Sequence, residues 1–391
     1  MRIGLVLPNV PQYSETFFNN KINGLQESGF KVIVFTGQKI KKDFFFEHKS
    51  AYKIYDGKPV TQFIAFVYVL TMTILKCPSR VNKLFSLERK DGRSFSDSLK
   101  SIYLNAHILP EKLDWLHFGF ATMSLGHENT AKATGARMGV SFRGYDINIY
   151  PLKNPDCYKK LWANVDKVHS ISDYLRVKAL TLGLKSQTPY EKITPAIDTT
   201  FFKVKSDPGK INLPVKILTV GRLNWVKDFE TAVSTMKILK ERGINFVYNI
   251  IGTGKELERL KFAVHQSGLE DRIFFLGRIE QKEITERMRE SDIYLQTSYQ
   301  EGFCVSVLEA QATGLLCIVS NADGLKENII DGETGWVVEK RKPEKFAEKI
   351  IEVMNFQEEN RKKICMTARR RVEEDFKIEN QKIKFREFFR N

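Results

Sequence analysis

The sequence predicts an α/β protein built from two doubly wound parallel-sheet domains in succession. Three observations carry this. Short apolar runs alternate with helix-period stretches along the 391 residues, which is how βαβ units read in sequence. The alternation pauses at KITPAIDTTFFKVKSDPGKINLP, residues 192–214, where Pro and Gly mark a linker. It then restarts, and the loops that follow its strands carry cations, carboxylates and glycines, at the strand ends where such sheets hold ligands.

In chain order, residues 3–7 form a buried-strand run, followed by the loop 9–16, a helix-period stretch to Glu27 and a second strand at 31–36. That is one βαβ unit, and its right-handed crossover puts the loop 9–16 at the ligand end of the sheet. Residues 59–75, PVTQFIAFVYVLTMTIL, carry no charge; the run is at the short limit for a membrane span and predicts a buried or interfacial helix. Residues 76–100 interleave basic with apolar residues, a helical face suited to an anionic membrane or simply a solvated face. LDWLHFGFAT is a strand and loop with Trp115 and Leu116 buried and His117 at the strand's end. A small-residue helix at 131–138, a strand ending in SFRGYDI, and KVHSIS followed by DYLRVKALTLG continue the pattern.

The second half repeats it. VKILTVGRL runs from strand to loop, DFETAVSTMKILKERG is a helix ending at Gly243, and NFVYNIIGTG runs from strand to glycine turn. RIFFLGRI, DIYLQTS, LLCIVS and GWVVE are further strands, and the tail from 343 is helical and basic. The predicted domains are 1–203, 204–375 and a closing helix, 376–391.

Composition narrows the function. Lys and Arg exceed Asp and Glu by 62 to 47, a net charge of +15, so an anionic partner is expected: nucleic acid, an acidic bilayer or a phosphorylated small molecule. The basic residues are scattered without zinc-finger or RNP-like spacing, which argues against nucleic acid. Five separated cysteines with no CxxC fit a reducing compartment, hence a cytoplasmic protein, and six histidines without ligand spacing predict no metal site. The N-terminal run is broken by Pro8 and reads as a strand rather than a signal peptide.

The chemistry concentrates in four strand-end loops. Arg222 and Lys227 in GRLNWVKD can grip a diphosphate, one by its planar fork and one as a point charge. Gly252-Thr253-Gly254 lacks the side chains that would keep a ligand from the backbone. Arg278 follows FFLG. YQEGFCVSVLEAQATG, residues 299–314, reads as a loop opening a helix, with Glu301 before it and Glu309 about two turns along. The amides around residues 303–305 would then face an anion. Alone, this last segment reads more readily as an amphipathic helix with two solvated glutamates; the loops around it change that.

Together, GRLNWVKD, IGTGKE, FLGRI, DIYLQTSYQEGFCVSVLEAQATG and NADGLKENIIDGETGWVV resemble the donor-binding half of the family 4 retaining glycosyltransferases. NVPQYSETFF, HFGF and SFRGYDI resemble the members that build bacterial surface polysaccharides. The resemblance implies the GT-B fold, with two Rossmann-like domains facing a central cleft and a C-terminal helix crossing back to the first. It implies transfer of a hexose-type sugar from a nucleoside diphosphate sugar to a glycan or lipid-linked glycan, without a metal or other cofactor; the basic surface and the uncharged run 59–75 add the expectation that this happens at the inner face of the cell membrane. Arg222 and Lys227 would hold the diphosphate, and Glu301 the sugar hydroxyls. The amides of Gly302, Phe303, Cys304 and Val305 would lie close to sugar and phosphate. Glu309 would bind the ribose, Gly254, Arg278 and Ile279 would line the base, and Glu327 would lie near the nucleotide. In the first half His117 would contact the donor sugar. Ser14, Glu15, Thr16, Arg143 and Asp146 would serve the acceptor, Arg143 standing where many relatives have His. Two other readings fit the same fold: a nucleotide-sugar epimerase, and a non-catalytic nucleotide-sugar or polyanion binder.

Overall fold

The computed structural model describes residues 1–11, 16–37 and 44–390. The chain forms two units, one of Met1–Ile193 with Gln381–Asn391, the other of Thr194–Asn380. The expected first boundary lay at 203/204. Ile193 is fully buried in the core of the first unit, whereas Ile197 donates its amide to Phe376 O and Thr199 O accepts from Arg369, both within the second.

Among the described residues the first unit has a seven-stranded sheet in the order β3-β2-β1-β4-β5-β6-β7. Its strands are β1 (Arg2–Val6), β2 (Lys31–Thr36), β3 (Glu47–Ser50), β4 (Trp115–Phe118), β5 (Arg137–Phe142), β6 (Lys167–Ser170) and β7 (Tyr190–Lys192). Every pairing is parallel, with Ile3 opposite Val32 on one side and Trp115 on the other. Both neighbours of β1 therefore leave in opposite directions, the arrangement that opens a crevice beyond the strand ends. Helix α1 (Thr16–Glu27) and the terminal helix Ile378–Arg390 help close the core. Phe385, Phe388 and Phe389 pack with Ile3, Leu5, Val32, Val34 and Trp115, each such ring contributing about 2 kcal/mol over exposure. Trp115 Nε1 and Lys167 Nζ donate to the carbonyls of Phe389 and Phe388 at 2.9 and 3.0 Å, which ties off the helix's last turn.

Helices α2 (Pro59–Lys76), α3 (Pro78–Lys90) and α4 (Phe95–Asn105) follow β3. Pro opens α2 and α3, where its missing amide costs nothing. Ser94 caps α4 by accepting from Asp97 N at 3.0 Å. Of the two expectations for 59–75, burial does not hold: only Val69 and Thr73 of α2 are buried. The helix expected at 131–138 is shorter, Thr130–Thr134, because Gly135 at φ 82° ends it and Met138 joins β5.

The second unit has a six-stranded parallel sheet in the order β10-β9-β8-β11-β12-β13. The strands are β8 (Val215–Val220), β9 (Phe246–Ile251), β10 (Ile273–Gly277), β11 (Ile293–Gln296), β12 (Leu316–Ser320) and β13 (Trp336–Val338). Here the reversal falls between β8 and β11, paired at Ile217–Ile293. Core side chains Ile217, Tyr248, Leu295 and Ile318 pack under Phe229, Met236 and Phe346 from the covering helices. Helices Pro343–Asn355 and Glu358–Asp375 complete the unit.

Candidate functional site

The reversal between β8 and β11 gathers the loops that the sequence singled out. β8 runs out at Val220 into Gly221 and the exposed Arg222, and a short turn at Trp225–Lys227 brings Lys227 back. The turn is fixed from both sides. Leu223 is fully buried, Tyr299 N donates to Val226 O at 2.9 Å, and Asp228, at φ 47°, caps the next helix through Thr231. Lys227 Nζ thus meets Glu301 Oε2 at 2.6 Å, with the two side chains only 14% and 16% exposed. Burial alone would lower the Lys227 pKa. The Cys304 sulfur and the Glu301 carboxylate outweigh it and hold the amine above its ordinary value, so it stays cationic.

Glu301 is positioned by a line of polar side chains running out of the sheet. Tyr294, Gln296 and Ser298 share one face of β11 and its extension. Tyr294 Oη lies 2.7 Å from Ser306 Oγ, Gln296 Nε2 donates to Ser298 Oγ at 2.8 Å, and Ser298 Oγ donates to Glu301 Oε2 at 3.4 Å. All three are fully buried in sequence positions that look like strand core. None of the three is among the residues that the motifs single out, although Tyr, Gln and Ser at every second residue of DIYLQTS is a legible signal.

The helix of the segment 299–314 is Val305–Thr313, closed by Gly314 at φ 84°. It starts later than expected, so Glu309 lies about one turn from its start rather than two. The amide of Cys304 is not open to a ligand, because it donates to Asn328 Oδ1 at 3.1 Å while Asn328 Nδ2 donates back to Cys304 O. The amides of Phe303 and Val305 remain the candidates there. Cys304 is itself buried and its thiol pKa is pushed up by desolvation, a packing role. Glu309 is half-buried, and desolvation raises its carboxyl to about 7.

The glycine turn after β9 serves a different purpose from the expected one. A Cβ at Gly252 would come within 1.9 Å of Gly221 O, and one at Gly254 within 2.1 Å of Leu223 O. The glycines let the β9 loop pack backbone-to-backbone against the β8 loop, where Leu223 N donates to Thr253 O at 3.0 Å. Gly254 therefore shapes the site by holding Arg222's loop. Arg278 is exposed and Ile279 half-buried just beyond β10, two strands and about 10 Å from β8. Glu327 and Asn328 offer their carbonyls to Arg371.

The first unit treats its predicted residues differently. His117 is fully buried, so it meets protein rather than ligand. Its Nε2 is 3.0 Å from Lys21 Nζ and 2.8 Å from Ser141 Oγ, and Ser141 Oγ is 2.8 Å from His169 Nδ1. The role expected for His117 at a donor sugar does not hold, because β4's pleat turns it inward beneath Phe388 and Phe389. Desolvation first, then the Lys21 charge, lowers its pKa well below the usual histidine value. Asp146 is likewise buried: it accepts from the amides of Ala121, Arg143 and Gly144 at 2.9–3.0 Å and clamps two strand-end loops rather than an acceptor. Burial pushes its carboxyl up despite those donors. Arg143 stacks over Phe17 at 3.5 Å and donates Nε to Gly119 O at 3.2 Å. Ser14 and Glu15 lie outside the described residues, and Thr16 is the first residue of α1.

Residues 202–371 match the family model "Glycosyl transferases group 1". Over nearly its whole length the chain is 27% identical to the amylovoran biosynthesis glycosyltransferase AmsK of Erwinia amylovora, covering 99% of this chain and 98% of AmsK. It is 25% identical to the putative colanic acid biosynthesis glycosyltransferase WcaL of Escherichia coli K12, with the same coverage. The chain is a GT-B glycosyltransferase. The solved structure of Anabaena HepE in complex with UDP-glucose superposes with a TM-score of 0.70 at 13% identity, covering 99% of this chain and 98% of HepE, which speaks for the fold. Within this glycosyltransferase the second unit thus carries the matched segment, and the Lys227–Glu301 pair lies inside it.

Proposed function

We propose that this glycosyltransferase moves a hexose-type sugar, with retention of configuration, from a nucleoside diphosphate sugar to a glycan or lipid-linked glycan in surface polysaccharide biosynthesis. The observation that carries the reading is the Lys227–Glu301 pair at the β8/β11 reversal, 2.6 Å apart and shielded from water. The relatives' names support the polysaccharide role, and HepE's complex with UDP-glucose supports the donor class.

Arg222 and Lys227 carry the positive charge that the leaving diphosphate needs as the glycosidic bond breaks; preorganised charge of this kind is the largest single aid to such a step. The two cations supply it without a metal. Glu301, already paired with Lys227 and hydrogen-bonded by Ser298, is a poor nucleophile and a good acceptor for sugar hydroxyls. Attack therefore proceeds from the face the leaving group departs, and a phosphate oxygen takes the acceptor's proton. Glu309 accepts from the ribose hydroxyls, and Arg278 and Ile279 flank the base. The enzyme works in the cytoplasm, peripheral to the membrane.

A thermal-shift panel of UDP, GDP, ADP and CMP sugars tests the donor assignment. A ligand at 100 times its dissociation constant stabilises by about 2.7 kcal/mol, so one base is expected to raise the melting temperature by several degrees. No shift with any of them removes the donor site, and a glycosyl adduct trapped on Glu301 removes the front-face route.

A further inference from the structure

The first unit holds a feature that sugar transfer leaves unexplained. Helix α2 exposes Val60, Phe63, Ile64, Val67, Tyr68, Ile74 and Leu75, five of them more than 60% exposed. Their spacing is that of one helical face. The opposite seam packs into the unit, where Val69 forms a small core with Tyr103 and Ala106 and Phe66 stacks on Tyr103 at 5.6 Å. The helix is 18 residues long with mean hydropathy 1.5, enough for a span by length. A seam anchored on α4 keeps it out of that role and leaves it lying in a plane. No charged residue lies between Lys58 and Lys76 at its two ends, and α3 beyond it adds the exposed Lys83, Arg89 and Lys90.

A cavity of about 1320 Å³ in the same unit adjoins this helix. Its wall includes Leu7 beyond β1, Thr36 at the end of β2, Tyr52 and Lys53 after β3, His127, and Lys76 at the end of α2. Lys53 and Lys76 make no ion pair among the described residues, whereas Lys49 on the same wall is paired with Glu111. An apolar helix face thus ends at a cavity that carries two uncompensated cations.

We propose that α2 lies in the plane of an anionic bilayer and that this cavity receives the headgroup of a lipid-phosphate-linked acceptor, its phosphate held by Lys53 and Lys76. What is done to the headgroup rests on the transferase reading; the membrane contact does not. A second copy of the chain fits the face less well. Pairing two α2 helices about a two-fold axis sets lysine against lysine at both ends whichever way they run, whereas an anionic surface matches both.

Flotation with vesicles of four parts phosphatidylcholine to one part phosphatidylglycerol tests the face. The protein is expected to float with them and not with pure phosphatidylcholine. The double variant Phe63→Asp/Val67→Asp, altered only at exposed positions, is expected to lose binding at least tenfold with an unchanged melting temperature. Flotation equal to wild type overturns the proposal. So does a wild-type dimer in sedimentation that this variant converts to a monomer, which gives the face to a second copy. Dodecyl phosphate below its micelle concentration is expected to bind, and Lys53→Ala/Lys76→Ala to weaken it about tenfold. Equal binding of inorganic phosphate reduces the cavity to an anion site and overturns the lipid part. UDP titrated into each variant is expected to bind as to wild type. If wild type fails to bind any nucleotide while flotation succeeds, the donor reading falls and the membrane contact stands.

Discussion

The two units share one topology and use it in opposite ways. In the second, the polar residues at the sheet reversal reach outward: Arg222 is exposed, and Lys227, Glu301 and Glu309 are half-buried in the loops beyond the strand ends or in the first turns of the helix that follows. In the first, the comparable residues turn inward: Lys21, His117, Ser141, His169 and Asp146 are buried and hydrogen-bond to one another or to backbone. A polar group at the carboxyl end of a strand is therefore not by itself a ligand group. The pleat and the covering helix decide which way it points.

The contrast should show most strongly in acid. Desolvation holds His117 and His169 neutral in the fold, with pKa values well below 6.5, and holds His107 at about 3 and His127 at about 4. The unfolded chain binds protons that these folded histidines refuse, so stability falls as pH drops below about 6.5 and goes on falling toward the folded values. The slope approaches 1.4 kcal/mol per pH unit for each such group. The lowered Lys21 amine acts in the same direction. Amide hydrogen exchange, corrected for intrinsic rates, is expected to show the first unit losing protection between pH 7 and 5 while the second keeps it. Equal loss in both units would erase the contrast.

Catalysis should depend on the outward set. Lys227→Ala is expected to reduce kcat/KM by about 10²–10³, or 2.7–4 kcal/mol, by analogy with other preorganised charges. His117→Gln is expected to change the melting temperature and leave the affinity for nucleotide unchanged. If His117→Gln abolished nucleotide binding in protein that remained folded, the division between the units would fail.

A smaller effect belongs to Glu309. Its carboxyl titrates at about 7, and the ionised form is the better acceptor for ribose hydroxyls. Nucleotide affinity is thus expected to fall roughly tenfold from pH 8 to pH 6, a dependence that Glu309→Gln should flatten. A pH-independent affinity in wild type would detach Glu309 from the ribose. The smallest effect is expected at Arg278, whose replacement by Ala should weaken donor binding by about 0.5 kcal/mol, as for an exposed charge, measured by calorimetry.

Much of this architecture was legible in the residues themselves. The β–α alternation, the linker after residue 192 and the loop GRLNWVKD each follow from a local pattern, whereas the Lys227–Glu301 pairing needs the adjacency of β8 and β11, which only the fold supplies. What stayed hidden is information that a single segment does not contain. His117 and Asp146 sit at strand ends in loops of the expected kind, yet whether they face inward depends on Phe388, Phe389 and Ala121, which are distant in sequence or on another loop. Gly252 and Gly254 look like a ligand cradle until the backbone of Gly221 and Leu223 is set beside them. Asn328, which takes the Cys304 amide, lies 24 residues further on in a segment with no helix period.

The terminal helix bears on how the protein comes into being. Phe385, Phe388 and Phe389 complete the core around β1, and Trp115 and Lys167 donate hydrogen bonds to the helix's last carbonyls, so the strands of the first unit wait for a helix that follows the whole second unit in the chain. The second unit has its sheet and covering helices in hand by Asp375. On a ribosome, where domains ordinarily mature from the N-terminus onward, the helix that completes the first unit's core emerges only after the second unit, and until then one apolar flank of the first has no cover from it.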